Sequence, residues 1–177
     1  MLYEPKHRPL GRDEADQLAV ACRTLREERV IWTLLDTGLR VKELACPTRD
    51  RIALREHCVA PGGLLPTVPE DGPRAFPVTR RIEPLIESWF NTHESFGLSV
   101  RSIQRIIRDV AARAGIERRV CAEVLRHTFA ADAVRNGVSP QELQRMLGHK
   151  HPGASQVYFG PVGHGRSESN VRRAAGQ

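Results

Sequence analysis

LRHTFAADAVRNGVSPQELQRMLGHKHPGASQVYF, residues 125–159, is the stretch on which the reading of this 177-residue chain turns. Extended back to Ala122, its first part reads as a helix, AEVLRHTFAADAVRN, stopped by Gly137. Ser139, Pro140 and Glu142 then start a second helix. The serine caps, the proline fits the first turn, and the glutamate closes a capping box. That helix runs through QELQRML and ends at Gly148. Beyond Pro152 and Gly153, a short segment, ASQVYF, carries Tyr158.

Upstream the pattern stays helical. Ser99 caps VRSIQRIIRDVAARAG, whose Val100, Ile103, Ile106, Ile107, Val110 and Ala114 form one apolar face, with Gly115 as its stop. Thr79 is placed to cap RRIEPLIESWFNTH. Asp13 precedes EADQLAVACRTLREER, read as one helix with acids in its first turn; VIWTLLDTG and LRVKELACP follow. Between Arg49 and Val78 the character changes. RIALRE, HCVAP, GGLLPTV and RAFPV are short extended pieces broken by Pro and Gly, and read as a small, poorly regular sheet. The fold class expected is mainly α with a small antiparallel β-sheet. Residues 1–12 read as an irregular arm, 13–160 as one domain, and 161–177 as a flexible Gly-, Ser- and Arg-rich tail.

Composition narrows the partners. The formal net charge is +6, which favours a polyanion, and the basic residues are nearly all Arg: Lys occurs only at Lys6, Lys42 and Lys150. A guanidinium grips phosphate oxygens in pairs, although a coding bias towards Arg gives the same excess without functional meaning. Aromatics are only 5%, so the core must be built from Leu, Val, Ile and Ala. Cys22, Cys46, Cys58 and Cys121 show no CxxC spacing, which argues against a zinc or redox pair. Scattered cysteines, with no apolar leader and no run of membrane-spanning length, point to reduced thiols in a cytoplasmic protein.

Three segments hold residues suited to phosphodiester chemistry: DTGLRVKEL at 36–44, LRHTFAADAVRNG at 125–137, and MLGHKHPGASQVYF at 146–159. Attack on a phosphodiester gathers negative charge, so fixed cations must wait where it develops. Arg stays charged and bonds two oxygens at once. A phenol nucleophile, with a pKa near 10, needs a proton acceptor, and the leaving oxygen needs a donor.

Taken together, these segments resemble the boxes of the tyrosine recombinase (phage integrase) family, in its Xer-type and lambda-integrase-like branches. TGLRVKEL matches the first box. Leu125, Arg126, His127, Phe129, Gly137, Leu147, Gly148, His149 and Tyr158 match the second, in order and in register. The resemblance covers about residues 13–160 and implies the catalytic-domain fold of DNA breaking-rejoining enzymes. It also implies a site-specific recombinase that cleaves and rejoins double-stranded DNA through a 3′-phosphotyrosine. Arg40, Arg126 and His149 would hold the scissile phosphate and Tyr158 would attack it. Glu43 and His127 would be structural, His127 by supporting the fold around Arg126. No cofactor or metal is implied, and the expected place of action is the cytoplasm, on the nucleoid. Self-association on DNA would run through the C-terminal tail.

The sequence departs from the family pattern in three places. Glu123 stands where the family usually has His. At roughly 5 Å and an effective dielectric of about 20, its charge would repel the phosphate by on the order of 3 kcal/mol. Alternatively it serves as the base, or is itself protonated beside the phosphate. The family's lysine in a turn between strands has no counterpart in TVPEDGP, which precedes RAFPV; Arg74 is nearby but holds its proton too firmly to be an acid, which leaves His57 or His93 as substitutes. The N-terminal core-binding domain of the family is expected to be absent. These departures leave a second reading, a catalytically weakened or inactive DNA-binding relative acting as regulator or accessory factor.

Overall fold

A computed structural model of the chain describes residues 8–45, 63–67, 74–91, 93, 97–149 and 153–159. Its centre is helix α2 (Leu25–Thr37), which buries residues on nearly every side: Val30, Ile31, Thr33, Leu34, Leu35 and Thr37. It starts at Thr24, whose side chain accepts from the Glu27 N–H at 3.2 Å, and ends at Gly38 in the left-handed region with φ 61°. Helix α1 (Arg12–Val20) packs before it, and α3 (Val41–Ala45) follows it. The stretch read as one helix from residue 14 to 29 is therefore two. Thr24 with Glu27 carries the S/T-x-x-E start signal that divides them.

Helix α4 (Glu83–Phe90) is entered through a turn in which the Ile82 and Glu83 N–H groups donate to the Thr79 carbonyl. Helix α5 (Val100–Arg113) starts on Ser99, whose side chain accepts from the Ser102 N–H, and buries Ile103, Ile107, Val110 and Ala111. The apolar face foreseen for it is present, although Val100 is exposed. Helix α6 (Ala122–Arg135) packs on α2, and helix α7 (Pro140–Leu147) packs on α6. The Ser139–Glu142 capping box is formed as its sequence indicates. A four-residue helix, α8 (Gly153–Gln156), leads into a single 3₁₀ turn, Val157–Phe159.

The expected fold class, mainly α with a small antiparallel β-sheet, needs correction in its β part. The described structure is a helical assembly with no sheet layer. Extended pairing among the described residues is confined to one two-stranded ladder, β1 (Gly63–Thr67) with β2 (Arg74–Val78). Pro66 and Pro77 lie within the two strands and donate no ladder hydrogen bond, so the ladder itself is weakly bonded. RIALRE, HCVAP, His57, Cys46 and Cys58, and most of the turn TVPEDGP, lie outside the described residues.

The core has two parts. The larger joins α2, α5 and α6 through Ile31, Leu34, Ile103, Ile107 and Leu125, all fully buried. Each such side chain contributes about 1.5–3 kcal/mol relative to exposure. The smaller lies under α7, where Phe129, Ala130, Ala133, Leu143 and Leu147 are joined by Met146, Tyr158 and Phe159. This second cluster seats the segment that carries the tyrosine. Cys22 and Cys121 are free thiols, both pushed up in pKa by burial, Cys22 to about 11. Among the described residues no helix is long and apolar enough to cross a membrane.

Candidate active site

Arg40 lies between α2 and α3. Its own N–H donates to the Glu43 carboxylate at 2.7 Å, and its Nη2 donates to the Gly148 carbonyl at 3.3 Å. The Glu43 carboxylate thus holds the backbone at Arg40. Arg126, on the first half of α6, reaches the ends of two helices. Its Nη1 donates to the Gly38 carbonyl at 2.6 Å, and its Nη2 to the Leu147 carbonyl at 2.5 Å. The carbonyl end of a helix is the negative end of its dipole, so these are favourable seats for guanidinium charge.

His149 follows the Gly148 stop of α7. Its Nδ1 shares a hydrogen bond with the Ser155 hydroxyl at 2.8 Å, and its carbonyl accepts from Gln144 Nε2 at 3.1 Å. Ser155 is fully buried on α8, so this contact fixes the start of the segment that ends in Tyr158. The Tyr158 hydroxyl in turn meets Nδ1 of His127, the residue after Arg126. The contacts thus form a ring from Arg126 and Arg40 to the end of α7, on to His149 and Ser155, and through Tyr158 back to α6.

Two further residues of α6, His127 and Glu123, differ in what they meet. His127 is in contact with the tyrosine hydroxyl itself, beyond the support of Arg126 that the sequence suggested. Nothing in the sequence marks this, because the contact joins residues 31 apart. Glu123 is exposed in the first turn of α6. His93 stacks on Trp89, with ring centroids 3.9 Å apart. Arg101, Arg105 and Arg108 are exposed along α5.

The helical assembly, with its second arginine wedged between two helix ends and a tyrosine on the segment beyond them, is the fold of a tyrosine recombinase catalytic domain. The Phage integrase family model matches residues 8–161, and the chain belongs to that family. It is 29% identical over 147 residues to tyrosine recombinase XerD of Listeria monocytogenes serotype 4b (strain F2365), covering 76% of this chain and 50% of XerD. It is 27% identical over 142 residues to XerA of Saccharolobus solfataricus (strain ATCC 35092 / DSM 1617 / JCM 11322 / P2), covering 78% and 47%. Among solved structures it matches XerA recombinase with a TM-score of 0.73 and 26% identity, over 85% of this chain and 59% of that one. The fold also matches XerH recombinase bound to its difH substrate, at TM-score 0.70 and 18% identity over 87% and 50%. The chain spans about half the length of the curated relatives it matches.

Proposed function

We propose that this chain is the strand-transfer domain of a site-specific DNA recombinase. In this reading Tyr158 Oη attacks the scissile phosphate of double-stranded DNA, forms a 3′-phosphotyrosine and releases a 5′-hydroxyl. A free 5′-hydroxyl then attacks the phosphotyrosine and rejoins a strand. The link conserves the energy of the phosphodiester, so both steps need only transferable protons and fixed charge.

The ring of contacts joining Arg126, Arg40, His149 and Tyr158 is the observation that carries this reading. Arg40 and Arg126 are the cations that would meet the charge gathering on phosphorus, where preorganised donors lower the barrier most. His149 would add a third donor. The XerH structure, solved bound to its difH substrate, supports DNA as the partner. Catalysis on DNA, the partner duplex and association through residues 161–177 belong to this proposal, and that tail lies outside the described residues.

The test uses a pool of nicked suicide duplexes with randomised sequence, incubated with the chain and resolved under denaturing conditions. A covalent protein–DNA adduct is expected from the wild type and none from Tyr158→Phe. Salt-dependent DNA binding with no adduct at any sequence would sink the strand-transfer reading.

A further inference from the structure

The hydroxyl of Tyr158 and Nδ1 of His127 are in hydrogen-bond contact, with ring centroids 5.6 Å apart and planes tilted by 43°. Both side chains are half-buried, and Tyr158 is packed against the Phe129–Leu143–Leu147 cluster, which limits where its ring sits. Glu123 lies one turn earlier on the same helix, but it is exposed. Of these two groups on α6, the imidazole is the one that meets the phenol. A neutral imidazole offers one ring nitrogen as an acceptor, and imidazole titrates near 6.5 against about 10 for a phenol. Its lone pair is thus available at neutral pH, where the phenol still holds its proton.

We propose that His127 is a catalytic residue that takes the Tyr158 proton as the tyrosine attacks. This rests on the strand-transfer reading given above. As Oη bonds to phosphorus, the phenol proton passes to Nδ1, and the bond from phosphorus to the 5′-oxygen breaks. The departing 5′-oxygen takes a proton from water. On rejoining, the attacking 5′-hydroxyl gives its proton to water, and the imidazolium returns its own to the tyrosine oxygen. The charged and titratable neighbours in the same ring of contacts are Arg126 on α6, Arg40 beyond α2, and His149 beyond α7; outside the ring, Glu123 lies one turn before His127 on α6.

Two measurements test this. The first needs no DNA: ¹⁵N NMR of the histidine rings in the whole chain, with Tyr158→Phe identifying the His127 signals. The proposal expects the neutral ring to carry its proton on Nε2, leaving Nδ1 unprotonated. A proton on Nδ1 in the resting neutral ring overturns it. The second measures single-turnover cleavage of a suicide duplex recovered from the randomised pool. His127→Asn places an amide near Nδ1 that cannot take a proton, and His127→Gln is the companion variant. Both should bind that duplex as the wild type does and cleave it about 10²–10⁴-fold more slowly, the usual worth of a general base. Their rates should climb with pH towards the phenol's own ionisation, whereas the wild-type rate levels off earlier. Wild-type rates and profiles in both variants overturn the assignment while leaving strand transfer intact. If the wild type forms no adduct, strand transfer fails, and the ring-proton measurement alone decides whether Nδ1 is fit to accept. The same measurement decides if both variants misfold.

Discussion

Gly38 is a single residue on which both packing and chemistry depend. Its φ of 61° lies in the left-handed region, and a Cβ there would overlap the Phe129 ring. Its carbonyl also receives Arg126 Nη1. Gly38→Ala is therefore expected to destabilise the chain by about 2–5 kcal/mol, from backbone strain and overpacking together. Urea unfolding measures this, and a loss below about 0.5 kcal/mol, the usual range for a neutral surface change, would refute the account. In the sequence this residue ends the helical run VIWTLLDTG and lies in the TGLRVKEL box. The sequence announced Arg40, Arg126, His149 and Tyr158 as well, because their neighbours along the chain form recurrent boxes. The places of His127 and Ser155 were not legible, since both meet their partners only after α6, α7 and α8 have packed.

Among the elements, α7 shows what local sequence makes legible. Its capping box and its glycine stop both involve neighbours in the chain, and both appear where they were read. Its last residue offers the carbonyl that seats Arg126, so the stability of this short helix matters to the site. Ser139→Ala should cost about 1 kcal/mol, lowering the urea midpoint with an unchanged slope. An unaltered midpoint would mean that the cap carries no weight. The break between α1 and α2 was signalled equally locally, by Thr24 and Glu27, but the unbroken helical pattern around it masked the signal. Between residues 49 and 78, the described residues show only the β1–β2 ladder of the extended pieces. Extended, proline-broken pieces look alike whether or not they pair, and strand pairing is decided by distant partners.

At the scale of the whole molecule, an ion-pair clasp joins the start of the described chain to the connection between α5 and α6. Arg118 holds both Glu14 oxygens at 2.9 Å and also donates to the carbonyls of Arg8 at 2.7 Å and Pro9 at 2.8 Å. Leu10, next in line, is buried and donates its N–H to Thr128 on α6. The guanidinium lowers the Glu14 pKa from 4.5 to about 2. The folded state thus gains stability that is complete above pH 4.5 and lost as the pH falls towards 2. Glu14→Gln should cost about 1 kcal/mol at neutral pH, the upper end for a solvent-screened pair, and should flatten the acid limb of stability against pH. Parallel acid limbs in wild type and variant would count against the clasp. Arg126 has a different consequence, one for descent. A side chain that ties two helix ends is needed by the fold as well as by any reaction. A lineage that abandoned DNA cleavage would still be under pressure to keep it, whereas the Tyr158 hydroxyl would be under no such pressure. In such a lineage the tyrosine, and not the arginine, would record when the activity was lost.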